Sequence, residues 1–183
     1  MKSSLHDYMK VGLIHFMAYP FAASGDGDIV RTIEEIAIDD FFDAIEITRI
    51  NDVEQRKIAK AIIDTAGMTV GFGAQPYILK GKLNLNSTDE QERAKAVEVL
   101  KEAVDQAYEM GARKLGFLSG PKPETGQDEA LALLADSITQ IGRDAASKGD
   151  LILSLETFDD STDFIISQFF TFPPLSFSNF LFL

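Results

Sequence analysis

Leu151-Ile152-Leu153-Ser154-Leu155-Glu156-Thr157-Phe158-Asp159 is the stretch on which the fold turns. Leucine and isoleucine hold the run from 151 to 155 apart from Ser154, and the first charge is Glu156. A short run that is apolar on both faces reads as a strand of a parallel sheet covered by helices. In such sheets, chemistry gathers at the carboxyl ends of the strands. A glutamate placed there pays desolvation unless a metal, a base or a substrate satisfies it. The rest of the chain can be tested for strands that would stand beside this one.

Working back from it, Gly149 closes a helix whose inward residues are Leu131, Leu134, Ile138, Ile141 and Ala145. Before that helix, Ser119-Gly120-Pro121-Lys122-Pro123 breaks the chain after a strand over Lys114 to Leu118. Val97, Leu100, Val104 and Ala107 mark another helix, which stops near Gly111. Ser87-Thr88-Asp89-Glu90 reads as its capping box, with Ser87 as the cap. Met68 to Gln75 reads as a strand loosened by Gly71 and Gly73, with a loop from Pro76 to Asn86. Ala59, Ile62, Ile63 and Ala66 face inward on a helix capped by Asn51-Asp52 and ended by Gly67. Ala44 to Thr48 is a strand. Ile29, Ile33, Ile36 and Ala37 make a helix that Asp28 would cap, and Val11 to Phe16 is the first strand.

The order is therefore βαβαβαβαβ, which implies right-handed parallel units. A doubly wound sheet and a (β/α) barrel both fit it. No G-x-G-x-x-G and no P-loop follows any strand, which disfavours a dinucleotide-binding version.

Composition narrows the function classes. The chain has 183 residues, 45% hydrophobic and 25% charged, as an ordinary globular domain has. Its net charge of -12 argues against nucleic acid and anionic membranes as partners. It has no cysteine, so it forms no disulfide, thiolate metal site or thiol nucleophile, and this is compatible with a cytoplasmic location. The amino-terminal residues carry no apolar signal-peptide core.

After Asp163 the composition changes. Residues 164 to 183 hold no charge and seven of the fourteen phenylalanines, with Pro173-Pro174 in the middle. A tail anchor fits the length, but the prolines, Gln168, Asn179 and the missing basic flank count against it. A terminal helix over the sheet meets the same prolines. The reading we prefer is a frameshift or truncation, so that residues 1–163 form an incomplete domain and 164–183 an out-of-frame or disordered tail.

Four segments resemble the xylose-isomerase-like barrel superfamily of sugar isomerases, sugar epimerases and zinc-type AP endonucleases. They are Phe42-Asp43-Ala44-Ile45-Glu46-Ile47, Gln75-Pro76-Tyr77-Ile78-Leu79 through Asn84-Leu85-Asn86-Ser87, Ala107-Tyr108-Glu109-Met110-Gly111-Ala112-Arg113-Lys114-Leu115, and Leu153-Ser154-Leu155-Glu156. The resemblance covers about residues 10 to 160. It implies an α/β fold, a partial (β/α) barrel with about five of the eight parallel strands and an atypical apolar tail. It also implies that Glu156 is a divalent-metal ligand and part of the acid–base machinery. The family's other ligands, an aspartate, a histidine and a second glutamate, lie on later strands with no counterpart here. In the endonuclease branch, zinc-binding histidines stand where this chain has Gln75 and Leu118-Ser119-Gly120, so the resemblance points to the sugar branch.

The expected function is that of a sugar or sugar-phosphate isomerase or epimerase using one divalent metal, Mn or Mg rather than Zn. The chain by itself is expected to be inactive. Its partner would be a small sugar, with no nucleic acid and no membrane, and an open barrel edge would favour self-association. The alternatives are an AP-endonuclease-like nuclease and a non-catalytic barrel fragment.

Each candidate residue has a plainer role beside the functional one. Glu156 is the catalytic and metal candidate; otherwise it faces water. His15, Glu46, Gln75 and Tyr77 are the substrate-binding candidates. Against these stand a hydrogen-bonded core histidine, a salt bridge from Glu46 to Arg49, and a merely structured loop. Lys80 and Lys82 would attract a sugar phosphate or stay solvated, and Asp159, Asp160 and Asp163 read as a solvated loop.

Overall fold

In the computed structural model, residues 4–156 and 180–182 are described. The fold is α/β, with parallel strands alternating with helices as in part of a TIM barrel. The chain divides into two compact units. One takes in Met1–Gly73, Ala107–Arg113 and Ser176–Leu183, and the other Ala74–Gln106 and Lys114–Leu175.

In the first unit, β1 (Lys10–Ile14) lies beside β2 (Ala44–Ile47), and β2 beside β3 (Thr69–Gly73). All pairings are parallel, with Gly12 opposite Ala44 and Ala44 opposite Thr69. Parallel neighbours need crossovers. The first runs through α1 (His15–Ala18) and α2 (Ile29–Ala37), the second through α3 (Val53–Ala66). Ile29, Ile33 and Ile36 are buried on α2, and Ala59 and Ile63 on α3, so one stripe of each helix is spent on the core. Asp52 caps α3 by accepting from the Gln55 amide at 2.8 Å, and Gly67 ends it at φ 68°. Asp28 occupies the cap position of α2 without making a side-chain cap bond.

The second unit holds α4 (Gln75–Gly81), most of α5 (Glu90–Glu109), β4 (Lys114–Phe117), α6 (Gln127–Lys148) and β5 (Ile152–Leu155). β4 and β5 pair in parallel, Lys114 opposite Ile152 and Phe117 opposite Leu155. Leu134, Ser137, Ile141 and Ala145 are buried on α6. The Ser137 hydroxyl donates to the Leu85 carbonyl at 2.7 Å, which satisfies a polar group in that stripe.

Several expectations change. The segment from Pro76 is not a loop but begins with helix α4. Pro76 sits in its first turn, where the missing N–H costs nothing, and Pro76, Tyr77 and Ile78 bury the face that holds it in place. The cap of α5 is Asp89 rather than Ser87: the Asp89 carboxylate accepts from Gln91 and Glu92 amides at 2.8 and 3.2 Å. Ser87 instead accepts from the Asp89 amide and donates to the Glu92 carboxylate at 2.5 Å.

The opening strand also differs. β5 is not buried on both faces: Ile152 is 54% exposed and Leu153 to Leu155 are half-buried. Among the described residues β5 has β4 as its partner on one side only. A short β6 (Phe180–Phe182) lies parallel to β1, with Lys10 opposite Phe180. The remaining tail, and Asp159, Asp160 and Asp163, fall outside the described residues. No helix among those described is long and apolar enough to cross a membrane.

Candidate functional site

The carboxyl ends of β4 and β5 bring two of the sequence candidates together. The β4–β5 register ends at Phe117 and Leu155, so Glu156 is the first residue beyond the ladder. Its amide still donates to the Phe117 carbonyl at 2.9 Å, which fixes its backbone. One residue earlier on β4, the Gly116 carbonyl accepts from the Ala74 amide at 2.7 Å. That bond sets Gln75, the first residue of α4, over the same strand. The Gln75 side chain then donates from Nε2 to Glu156 Oε1.

Gly116 makes this approach feasible. A Cβ there would stand 3.2 Å from Gln75 Nε2 and 3.2 Å from Glu156 Oε1, closer than a methyl group sits comfortably. Sequence reasoning gave Gly116 no role. The available signal was a glycine inside a short strand, which often marks a close approach of other groups.

Burial raises the pKa of Glu156 above its usual value, because a carboxylate loses more than a carboxylic acid when water is withdrawn. The Gln75 hydrogen bond and the positive charge of Lys114 act the other way without overcoming it. Oε1 is held by Gln75, and Oε2 takes no hydrogen bond from any described side chain. Gln75 Oε1 is buried and has no partner among the described residues. Tyr77 lies two residues further along α4 and is 3% exposed, part of the face that anchors the helix.

A half-buried carboxyl group with a raised pKa and one oxygen that no described side chain engages can exchange a proton with a bound ligand or offer a hard donor to a cation. Coordination of a metal needs more. Among the described residues no group of three or more His, Asp or Glu is placed to hold one. Glu156 contributes a single carboxylate, and Gln75 turns its own oxygen into a buried position.

Beyond α4 and β4, two loops of the same unit meet at Gly120. The Asn86 amide group donates to the Pro121 carbonyl at 2.8 Å, and the Asn84 side-chain oxygen accepts from the Asn86 backbone amide at 3.0 Å. A Cβ on Gly120 would collide with the side-chain oxygens of both asparagines. Asn84, Asn86 and Pro121 border a cavity of about 200 Å³ shared with Thr125 and Glu129. Asn84 to Ser87 belong to a segment that carries the family resemblance, yet nothing in their sequence signals this packing.

The other two candidates belong to the first unit. His15 opens α1 directly after β1 and is 2% exposed. Its Nε2 lies 2.8 Å from Thr32 Oγ1. The Thr32 hydroxyl in turn reaches the Ile29 carbonyl at 3.1 Å, so the ring nitrogen is assigned as donor to the hydroxyl. Burial lowers the His15 pKa to about 4, and the ring is neutral at physiological pH. Glu46 is half-buried on β2, opposite Ile14 of β1 and Gly71 of β3.

With this geometry established, three comparisons bear on it. A family model described as xylose isomerase-like TIM barrel matches residues 34–172. Among solved structures, a D-tagatose 3-epimerase-like protein matches with a TM-score of 0.67 and 20% identity, over 85% of this chain and 55% of its own. An L-ribulose 3-epimerase matches with a TM-score of 0.63 and 23% identity, over 81% of this chain and 50% of its own. An AP endonuclease, family 2, from Brucella melitensis matches with a TM-score of 0.65 and 13% identity, over 86% and 59%. At these identities the likeness is one of fold, and the chain spans only about half the length of these proteins. No curated protein matches the chain in sequence.

Proposed function

The chain belongs to the xylose isomerase-like TIM barrel family, and from that premise we propose that it serves the sugar isomerase and epimerase branch, with Glu156 as its acid–base residue. The observation that carries this is the half-buried Glu156 beyond β5, with one oxygen held by Gln75 and the other without a hydrogen bond among the described residues. Gln75 in place of a zinc-binding histidine, and a net charge of -12, support a small sugar over DNA as the ligand.

In the chemistry that fits, Glu156 takes a proton from a carbon next to the sugar's carbonyl. The electron pair of that C–H bond forms a carbon–carbon double bond, the π pair of the carbonyl moves to its oxygen, and an enediolate is left. Return of the proton from the same side restores the substrate, and delivery from the opposite side gives the epimer. Glu156 can serve one face only, so the described residues account for proton exchange and not for a full epimerisation. Glu156 Oε2 is also the oxygen that would hold a divalent cation, Mn or Mg rather than Zn, whose contribution would be to polarise the carbonyl. The described residues do not complete a coordination shell, and no step here depends on one.

The test follows from the one-sided base. The purified chain is incubated with D-tagatose or D-psicose in D2O, with and without Mn, and deuterium at C3 is read by NMR beside the yield of epimer. Deuterium should enter faster than epimer forms, and Glu156→Ala should abolish the exchange. Exchange unaffected by Glu156→Ala would overturn the proposal, as would chelator-sensitive cleavage of an abasic-site duplex without any sugar chemistry.

A further inference from the structure

We infer that Gln75 is the positioning residue of Glu156, dividing the carboxylate into a fixed oxygen and a working oxygen. This rests on the reading of Glu156 as the functional carboxylate and deepens it.

The division is built from the backbone outward. Ala74 and Glu156 are tied by their amides to consecutive carbonyls of β4, those of Gly116 and Phe117. Their mutual placement is therefore set by one strand rather than by two mobile loops. Pro76 and Ile78 are buried in the first turns of α4, and the Ile78 amide returns to the Ala74 carbonyl at 3.3 Å, so the residue carrying the amide is anchored on both sides. The two side chains meet above Gly116, where no Cβ keeps them apart.

The orientation of the Gln75 amide points the same way. Its Nε2 faces Glu156, while its Oε1 is left buried without a partner among the described residues. A buried acceptor without a donor is unfavourable, so the amide is not turned this way by its own surroundings. The carboxylate sets it, because an ionised carboxylate accepts hydrogen bonds and has none to give. An amide also carries no charge and does not titrate, so it holds Oε1 without competing for the proton that Glu156 moves.

Two consequences follow. Glu156 meets its ligand through Oε2 alone, so it offers one oxygen rather than a two-oxygen clamp. Loss of Gln75 frees the carboxylate to rotate about its last side-chain bond, which blurs the position of the working oxygen without removing it.

The experiment uses the full chain, labelled with 15N, and reads the Gln75 side-chain amide, assigned by its disappearance in Gln75→Leu. Replacing Glu156 with Ala should shift that amide resonance and speed its exchange with water. An unchanged resonance overturns the proposal. Mn(II) affinity, read by electron paramagnetic resonance, should fall by roughly 10- to 100-fold in Gln75→Leu, the usual effect of removing a group that orients a ligand. Gln75→His, which keeps a donor, should restore part of it. Equal affinity in the wild type and Gln75→Leu also overturns the proposal. Should the wild type bind no Mn, the metal role of Glu156 fails while the amide resonance still decides the positioning. Should Gln75→Leu not fold, Glu156→Ala in the native Gln75 background reads the same hydrogen bond.

Discussion

His15 and Glu156 occupy comparable places: each is the first residue beyond a strand, β1 for one and β5 for the other. Each pairs with a residue from another element. His15 spends its Nε2 on Thr32, and the threonine hydroxyl passes the demand to the Ile29 carbonyl. Burial takes its pKa down to about 4 and keeps it uncharged. Glu156 spends one oxygen on Gln75, the other takes no hydrogen bond among the described residues, and burial raises its pKa above the usual carboxyl value. The difference teaches that a polar residue at a strand end becomes a site only when its bonding capacity exceeds what the fold consumes. By that measure the fold consumes the histidine, and the glutamate is the residue on which the proposed function rests.

Four experiments would break or sharpen this contrast. The largest effect should come from His15→Ala, which opens a cavity and removes the hydrogen bond between the ring and the Thr32 hydroxyl. We expect a loss of about 2–4 kcal/mol in urea unfolding, with Mn affinity little changed. A variant that folds normally but loses ligand binding would move His15 into the site.

Acid should produce the next largest effect. The folded His15 binds its proton more weakly than the unfolded histidine, so the unfolded state takes up more protons between pH 6.5 and about 4. Stability should therefore be full above pH 6.5 and fall across that window. The shift is worth about 3 kcal/mol at most. His15→Gln, which keeps a donor and cannot titrate, should flatten that part of the profile. An unchanged slope would mean that His15 is not the group responsible.

Gly116→Ala tests the other side. Its methyl would crowd Gln75 Nε2 and Glu156 Oε1 at 3.2 Å, so we expect a cost of about 1 kcal/mol. The Gln75 amide signal should move even where the melting temperature barely does.

The smallest effect is expected of Glu156→Gln in metal-free protein. A raised carboxyl pKa means that the folded state holds its proton more tightly than the unfolded state. Glu156 therefore costs stability as pH rises through 4.5 toward its raised value, and the full cost remains above that value. The substitution should stabilise the protein slightly at neutral pH, and the gain should vanish below pH 4.5. A loss of stability at neutral pH would mean that the charge is better solvated than its burial implies.

The sequence made the alternation of strands and helices legible because buried stripes repeat with a fixed period, as Ile29, Ile33 and Ile36 do on α2. The type of Glu156 and its place at a strand end were legible for the same reason. Its partner was not, because Gln75 lies 81 positions away and no local pattern records a contact across that span. Helix α4 was hidden by its length: seven residues are too few to show a period, and Pro76 reads as a breaker unless it is placed in a first turn. The exposure of Ile152 was hidden for the opposite reason. An apolar run predicts two covered faces whether or not a neighbour stands on each side, and β5 has a described neighbour on one side alone.

The pairing of β6 with β1 has a kinetic consequence. Lys10 and Phe180 lie far apart in the sequence, yet they are partners in one ladder. Closing a span of that length costs about 1.5 kcal/mol more in chain entropy than closing the span between β1 and β2. During synthesis, the edge of β1 that takes β6 must wait until residues 180–182 are made, open to any other extended segment that reaches it first. Yield at low temperature and slow translation, compared with fast expression, should therefore depend on residues 180–182 more than the equilibrium stability does.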